Sequence, residues 1–534
     1  MCVTVLVVTP YSVMDPMNLP KMTVLAIGGL LSLAFVFSSQ KSLISKQQRH
    51  LLVLTVGFQL LLLVNLLYSG RSIVENFYGI SGRNTGVLTY LALSFLMLAS
   101  SLASSSQFVK IFRSVFFAVG VLLLFYGLIQ FAGLEPFPYV NVYANNVFGT
   151  FGNPNFQSAF MGILGTVAIV TLFDHELSVR VRALICGISL ASFFGIYSTN
   201  SWQGFFNLFA GVATGLILIV FKSKRYKVAS LLLSGSILAG VMVGLGIFAN
   251  GPLADLIGKA SLEARRLYWD AAVQIMKSNP VFGVGFDGFG DWYRRGRSED
   301  AALNNGGLLS SSAHNVALDI GVGGGFPVLI IYLCLIVLAL WKIVQNLKST
   351  QDVSVAYISI CSAWVSYQAQ SLISINQIGL GIIGWILLGL VIGYHPTSEA
   401  NPSQKLPLKS KQADSSFASF ITPIIALTIG LIVALPPYIA ANEFYSSLKT
   451  SDIKVVQAAA LQSPLDSQRM LIAAQVLENN KFYQESVEMV RKVNLRFPDS
   501  FEAWRYLSTL TKSTSVDKQE ASRQMRRLDP FIID

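Results

Sequence analysis

His314 lies in the stretch SSSAHNVALDIGVGGG, residues 310–325, between a polar segment and the apolar run FPVLIIYLCLIVLALW. It is one of four histidines in the chain. An imidazole exchanges a proton near neutral pH, so a histidine at a boundary between water and an apolar phase can activate or orient a hydroxyl group. His314 is therefore the candidate catalytic residue, with Asn315 as a supporting neighbour. The alternative is a histidine with a structural role only.

Arginines precede this histidine in two stretches. Arg265 and Arg266 belong to LEARRLYWDAAVQIMKSNP, residues 262–280, and Arg83 belongs to GRNTGVLTYL, residues 82–91. A guanidinium group stays charged and can bind two phosphate oxygens at once. These arginines are candidate ligands for a phosphate-bearing substrate. The alternative for each is an anchor at a membrane surface, with its charged end reaching toward water.

Polar side chains also stand at two predicted helix starts. In GTFGNPNFQSAFMGI, Asn153 suits a helix cap and Pro154 suits the first helical position, with Asn155 beside them. A capped helix start can hold an anion, although capping alone would explain these residues. Gln203, in STNSWQGFF, is a further hydrogen-bond donor at a helix start.

Two patterns argue against other kinds of site. GVGFDG, residues 283–288, matches the spacing of a dinucleotide-binding loop, but no strand precedes it, so a dinucleotide site is excluded. The four cysteines, Cys2, Cys186, Cys334 and Cys361, form no CxxC pair. The sequence therefore predicts neither a disulfide framework nor a metal site.

The elements that must position these residues are membrane helices. Hydrophobic residues make up 53% of the 534 residues and charged residues only 13%, far below the charged fraction of a soluble protein. Apolar runs long enough to cross a bilayer recur along the chain. The sequence predicts an all-α polytopic membrane protein with about twelve spans, near residues 20–38, 51–69, 86–104, 114–133, 156–173, 181–198, 204–221, 228–249, 325–341, 354–372, 376–393 and 419–440.

Loop charges predict the orientation of these spans. Basic residues gather in alternate loops, such as KSKRYK at residues 222–227, and the positive-inside rule assigns those loops to the cytoplasm. The long loop and the C-terminal tail are then extracytoplasmic. The net charge of +11 is explained by these loops, and no nucleic-acid partner is expected. The first ten residues, MCVTVLVVTP, are too few to span, and suit either a half helix or the end of a helix that begins before this sequence.

The chain divides into four regions. Residues 1–249 and 325–441 carry the membrane helices, residues 250–324 form the long loop with the candidate site, and residues 442–534 form a helical tail. The interval from Pro464 to Pro498 equals the length of a tetratricopeptide repeat, which predicts a small helical-repeat domain. An unrelated helical hairpin is the alternative. A repeat domain of this size would pack on the membrane helices or on a protein partner.

Four stretches together resemble the superfamily of O-antigen ligases and O-antigen polymerases, bacterial membrane glycosyltransferases. They are GRNTGVLTYL, FGNPNFQSAFMG, RRLYWDAAVQIMKSNPVFGVGFDGF and AHNVALDIGVGGGFP. The resemblance implies transfer of a glycan from an undecaprenyl diphosphate carrier to an acceptor hydroxyl at the outer face of the cytoplasmic membrane. It implies neither a metal nor a nucleotide cofactor.

Residue by residue, the resemblance assigns the donor diphosphate to Arg266 and Arg265, with Arg83 as a further cation, and the acceptor to His314. Where many members have Ser-Arg-Gly at the outer end of a middle span, this chain has the uncharged Gln203 before Gly204. The acceptor can be a saccharide, a lipid or a protein.

Four other functions stay open at this stage. A polysaccharide polymerase and a protein O-oligosaccharyltransferase belong to the same superfamily and share its motifs. A transporter would carry ionisable residues deep in its spans, and the predicted spans contain few. A scaffold would act through its tail.

Overall fold

The computed structural model describes residues 1–38, 46–137, 143, 146–247, 251, 260–303, 308–348, 353–395, 417–450 and 452–532. The regular elements of these residues are helices, apart from an isolated bridge between Ser105 and His395. Residues 248–250 and 252–259, at the predicted start of the long loop, lie outside the described residues, and so does that boundary.

The α-helices, numbered in chain order, are α1 (Asn18–Ser38), α2 (Lys46–Tyr68), α3 (Ile73–Tyr78), α4 (Val87–Ala103), α5 (Ser106–Phe131), α6 (Pro154–Thr171), α7 (Val179–Tyr197), α8 (Gln203–Lys222), α9 (Tyr226–Ile247), α10 (Ala260–Ser278), α11 (Phe289–Gly296), α12 (Glu299–Leu303), α13 (Val316–Lys348), α14 (Val355–Ser371), α15 (Ile378–Gly393), α16 (Phe417–Ser447), α17 (Ile453–Ala460), α18 (Ser467–Asn479), α19 (Tyr483–Arg496), α20 (Phe501–Thr509) and α21 (Ser515–Leu528). Short 3₁₀ helices occupy Cys2–Leu6 and Gly149–Phe151.

Each of the twelve predicted spans overlaps one of these helices, although α5, α13 and α16 extend seven to nine residues beyond the predicted bounds. The count of twelve spans stays a prediction. Within the described residues, eight helices are long and apolar enough to cross a membrane: α1, α2, α5, α7, α8, α9, α13 and α16. Two shorter apolar helices, α4 and α15, accompany them. This composition indicates a multi-pass membrane protein. Residues 2–6 form one short 3₁₀ helix, well below the length of a span.

Helices α6, α14 and α15 form the centre of the bundle, since nearly all of their residues are buried. Small residues allow the close approach of neighbouring helices, as in many membrane proteins. A Cβ atom on Gly29 of α1 would lie 2.6 Å from the Cβ of Ala92 in α4, and one on Gly204 of α8 would lie 2.4 Å from the carbonyl oxygen of Ser158 in α6. These glycines therefore permit the observed packing.

Helix α13 is interrupted near its start. Gly325 has φ +75° and ψ 178°, and Pro327 follows it, so the helical path breaks at this point. The N–H group of Phe326 donates to the carbonyl oxygen of Pro280 at 2.9 Å, outside the helix. A Cβ on Gly325 would lie 2.5 Å from the carbonyl oxygen of Val281. The residue at 325 must therefore be a glycine for both its backbone angle and its contact.

The glycine-rich segment GVGFDG docks on this interruption. The N–H groups of Val284 and Gly285 donate to the carbonyl oxygens of Val322 and Gly323, at 2.9 and 3.0 Å. A Cβ on Gly283 would lie 2.5 Å from both carbonyl oxygens. The segment thus pairs backbone with backbone and holds the start of α13 against the residues that follow α10. These glycines serve packing.

The tail folds on its own hydrophobic core and packs on the loop helices. Helices α18 and α19 pack against each other, as do α20 and α21, which gives two helical hairpins. The carboxylate of Asp529, at the end of α21, binds Arg294 at 3.3 Å and Arg297 at 2.7 Å. Arg294 also binds Glu502 at 2.9 Å. Short α11 is therefore held between the membrane helices and the tail.

Candidate functional site

His314 occupies a turn that is fixed by a carboxylate of the following helix. The hydroxyl of Ser312 donates to Asp319 Oδ2 at 2.7 Å, and the N–H of Ala313 donates to Asp319 Oδ1 at 2.8 Å. The N–H of His314 donates to Ser312 Oγ at 2.9 Å. His314 has φ +52°, a left-handed conformation that is uncommon outside glycine and asparagine. Asp319 thus holds the histidine in a backbone position that it would otherwise rarely adopt.

The imidazole of His314 is placed by aromatic stacking. Its ring lies 5.6 Å from the ring of Tyr268 in α10, at an interplanar angle of 26°. Tyr268 in turn meets Tyr293 of α11 edge to face, with 5.6 Å between the centroids. His314 is half-buried, and no hydrogen bond from its ring nitrogens to another described residue is found. Both nitrogens are therefore available to a substrate.

Arg265 is the cation beside this histidine that has no carboxylate partner among the described residues. It lies three residues before Tyr268, on the same face of α10, and burial lowers its pKa from the usual arginine value. Burial, and then the positive charges of Arg265 and Arg83, lower the pKa of His314 to about 4. The imidazole is consequently neutral at physiological pH and can accept a proton.

Arg83 also reaches the His314 turn but is paired with carboxylates. Its guanidinium donates to the carbonyl oxygen of Ser311 and lies 3.4 Å from Asp287 Oδ1 and 3.8 Å from Asp319 Oδ2. Its side chain is largely buried. Arg83 therefore ties the GRNTG loop to the start of α13.

Asp287, in the glycine-rich segment GVGFDG, binds the loop that carries Arg83. Its carboxylate accepts hydrogen bonds from the N–H of Ile80 at 3.2 Å, the N–H of Thr85 at 2.9 Å and the hydroxyl of Thr85. The GRNTG and GVGFDG stretches, far apart in the chain, thus form one wall beside His314.

Arg266 projects from α10 with an exposed side chain and has no ion pair among the described residues. Arg265 and Arg266 thus give this end of α10 two charges that form no ion pair with the carboxylates that the structure describes.

The remaining arginines of the long loop meet the tail. Arg294 and Arg297 bind Asp529, and Arg295 lies 3.1 Å from Asp499 Oδ1. These arginines are structural. Their pairing leaves Arg265 and Arg266 as the loop arginines that are free to meet a substrate anion, within the described residues.

Asn315 has a structural role in the turn that carries His314. Its Oδ1 accepts from the N–H of Leu318 at 3.1 Å, which caps α13, and its Nδ2 donates to the carbonyl oxygen of Leu372 at 3.1 Å. The side chain therefore links the start of α13 to the end of α14.

The other predicted polar residues form a separate group. Asn153 caps α6 through the N–H of Asn155, at 2.8 Å, and Asn155 Oδ1 accepts from the hydroxyl of Ser201 at 2.7 Å. Gln203 is 6% exposed, and both atoms of its amide lack a hydrogen-bond partner. Among the described residues, no hydrogen bond joins Asn153 or Asn155 directly to the turn of His314.

Three residues around His314 were not identified from the sequence: Tyr268, Asp287 and Asp319. Tyr268 could have been found from its three-residue spacing after Arg265, and Asp319 from its place in the first turn of the helix that follows His314. Asp287 lies inside GVGFDG, a segment whose glycine spacing alone was considered in the sequence.

Residues 184–333 match the family model described as O-antigen ligase. The matched range contains Gln203, Arg265, Arg266 and His314, whereas Arg83 and the tail lie outside it. No curated protein matches the chain. The resemblance to O-antigen ligases is thus confirmed over the region that carries His314 and the α10 arginines, while the tetratricopeptide-like character of the tail stays a prediction. The family match implies a membrane glycosyltransferase-like function for this chain.

Proposed function

We propose that the chain transfers a glycan from an undecaprenyl diphosphate carrier to an acceptor hydroxyl. One observation carries the proposal. An arginine without a carboxylate partner in the described structure, Arg265, neighbours a histidine whose ring nitrogens are unoccupied, and both belong to the region matched by the O-antigen ligase family.

Arg265 and Arg266 bind the donor diphosphate in this proposal. The leaving group of the reaction is a lipid diphosphate, on which negative charge increases as the bond to the sugar breaks. Fixed cations at the edge of a membrane, where water is scarce, stabilise that charge strongly. Arg83 contributes at longer range, because Asp287 and Asp319 already balance it.

His314 acts on the acceptor. The acceptor oxygen attacks the anomeric carbon of the donor sugar, and the bond from that carbon to the phosphate oxygen breaks, leaving its electron pair on the diphosphate. The acceptor proton passes to His314 and then to water. A bound diphosphate offsets the positive charges that lower the pKa of His314, so the histidine becomes a stronger base when the donor is present.

The reaction is proposed for the outer face of a bacterial cytoplasmic membrane and requires neither a metal nor a nucleotide. The positive-inside distribution supports this orientation, because the basic 222–227 segment joins α8 and α9 at the end opposite the candidate site. Polymerisation of repeat units and glycosylation of a protein use the same donor chemistry. These reactions differ from one another in the acceptor.

Transport is less well supported by the helices. A transporter carries ionisable groups near the middle of its spans. In the described part of the chain, the fully buried lysines of the spans, Lys21 and Lys342, lie toward helix ends. Lys21 donates to three carbonyl oxygens at 2.7–3.0 Å, which is a structural arrangement.

A deletion strain carrying plasmid-borne variants tests this function. Loss of the chain should cause lipid-linked glycan to accumulate and leave its acceptor bare, which identifies both substrates. His314→Ala should reduce transfer by roughly 100- to 10,000-fold, the usual contribution of a general base. His50→Ala, an exposed histidine at the opposite end of the bundle, is the matched control and should transfer normally. Wild-type transfer by His314→Ala would refute the assignment.

A further inference from the structure

A small cavity lies beside Asp319, the carboxylate that holds the His314 turn. Its volume is about 10 Å³, which is close to the space that one water molecule needs inside a protein. Three segments that are distant in the chain contribute to its lining: the GRNTG loop, the GVGFDG segment and the start of α13. Its polar side chains come from Arg83, Thr85, Tyr90, Asp287 and Asp319. A space of this size with polar walls suits water and excludes a larger ligand.

The charged side chains of the lining do not balance. Asp287 and Asp319 are carboxylates whose side chains are only 2% and 9% exposed, and Arg83 is the cation that both of them approach. One guanidinium therefore serves two buried carboxylates. Buried negative charge is costly unless further hydrogen-bond donors meet it, so this lining favours a molecule that can donate to both carboxylates.

Arg83 approaches both carboxylates without a direct hydrogen bond to either. Its Nε lies 3.4 Å from Asp287 Oδ1 and its Nη2 lies 3.8 Å from Asp319 Oδ2. Hydrogen bonds from a guanidinium to a carboxylate are usually about 2.7–2.9 Å long. Nη1 donates instead to the carbonyl oxygen of Ser311. Polar contacts of this length beside a water-sized space are typical of a bridge through water.

The same lining argues against an ion. A cation in the cavity would lie next to the guanidinium of Arg83, and an anion would lie next to the carboxylates of Asp287 and Asp319, so each would be repelled. A water molecule donates two hydrogen bonds and also accepts them. It can therefore satisfy both kinds of group at once, and the hydroxyl groups of Thr85 and Tyr90 offer further partners.

We propose that this cavity binds one water molecule, which donates hydrogen bonds to Asp287 and Asp319 and accepts one from Arg83. The water then joins the GVGFDG segment to the start of α13. Asp319 holds Ser312 and Ala313, so the water also supports the turn that carries His314. Its binding does not depend on the glycosyl transfer proposed above.

Hydroxyl-radical labelling by short X-ray pulses, followed by mass spectrometry, detects such a water. The pulse splits bound water where it lies, so the side chains beside it are oxidised even when bulk solvent does not reach them. Phe286 and Phe289 line the cavity and are each 2% exposed. In the detergent-solubilised full chain, both should be oxidised many times faster than Phe116 and Phe160, which are 1% and 0% exposed and do not line the cavity.

One variant displaces the water and keeps the charge. Asp319→Glu adds a methylene group, comparable in size to a water molecule, beside the cavity. Oxidation of Phe286 and Phe289 should then fall to the level of Phe160. Asp291→Glu is the matched control, because it adds the same group to a carboxylate that pairs with Arg71 outside the cavity, and it should be labelled as the wild type is. Thermal unfolding checks that each variant is folded.

The proposal is overturned if Phe286 and Phe289 of the wild type are as unreactive as Phe116 and Phe160, a comparison that needs no variant. Labelling of folded Asp319→Glu at the wild-type rate would overturn it as well. A bound cation gives a different result. In that case the wild type unfolds at a higher temperature in sodium chloride than in choline chloride of the same ionic strength, which would also contradict the assignment of water.

Discussion

At the scale of single residues, Arg83 and Arg265 differ in their charge partners. Arg83 is balanced by Asp287 and Asp319 and holds backbone segments together. Arg265 has no carboxylate partner among the described residues, and we propose that its charge meets the donor. The sequence shows three arginines and one histidine of the right chemistry, but their partners depend on contacts between distant segments. The exposed position of Arg266 and the place of Arg265 beside His314 follow from how α10 is rotated, which Tyr268 fixes by stacking on His314.

The pKa of His314 gives a direct test of this arrangement. The wild-type value should lie near 4, and Arg265→Gln should raise it, because removal of a nearby positive charge favours the imidazolium. Asp319 and Tyr268 remain in place in this variant. Hydrogen–deuterium exchange at the imidazole C2 carbon, followed by mass spectrometry across pH, measures the value. An unchanged pKa in Arg265→Gln would show that Arg265 does not face His314.

Activity should follow the same titration. The neutral imidazole is the reactive form, and its lowered pKa means that it stays neutral as the pH falls from 7. Transfer by the wild type, as kcat/KM, should therefore hold until the pH approaches the pKa of about 4.

Substitution of Arg265 tests its proposed role in binding the donor diphosphate. Arg265→Ala should reduce transfer by about 100- to 1,000-fold, as expected for the loss of one group that stabilises a developing negative charge. Arg265→Lys should recover only part of this, because an ammonium lacks the two-point geometry. Lys277→Ala, a cation on the last turn of the same helix, is the control. Full activity of Arg265→Ala in the deletion strain would remove it from the donor site.

At the scale of elements, hydropathy predicted the long apolar helices, because an apolar run of span length has few other ways to satisfy its backbone. Eight of the described helices are long and apolar enough to span a membrane, and the count of twelve stays a prediction. Hydropathy did not predict the short helices α3, α11 and α12. At least α11 is held by contacts from distant parts of the chain. For α11 these are the carboxylates of Asp529 and Glu502. The break in α13 was likewise missed, since the sequence shows the glycines but not the carbonyl groups that they approach.

The contact between GVGFDG and α13 can be tested at Gly325. Gly325→Ala forces a Cβ against the carbonyl oxygen of Val281 at φ +75°, so the kink and the docked segment should both be disturbed. The expected destabilisation is at least about 2 kcal/mol, because strain and a steric clash act together. Gly240→Ala, in α9 with open space around it, should unfold at the wild-type temperature or above. Equal thermal stability of the Gly325 variant would contradict the described contact.

At the scale of the whole molecule, the tail is part of the site's support. Asp529 is 2% exposed and is shared by Arg294 and Arg297. Asp529→Asn therefore leaves the buried Arg297 without its carboxylate partner, whereas Arg294 keeps Glu502. Loss of one member of a buried ion pair typically costs about 3–5 kcal/mol. The tail should then become sensitive to limited proteolysis at lower temperature. Glu520→Gln, which breaks an exposed pair with Arg523, should leave the digestion pattern unchanged.

The pairing of Asp287 with the loop at residues 80–85 also has a consequence for biogenesis. The hydrogen bond from the N–H of Thr85 crosses 202 residues of chain, so the ribosome must deliver the six apolar helices α4 to α9 before the carboxylate reaches its partner. Until then Arg83 and the backbone N–H groups of this loop have only solvent or other proteins to bind. A nascent chain halted before Asp287 would thus carry this loop with Arg83 and the N–H groups of Ile80 and Thr85 still unpaired with their carboxylate.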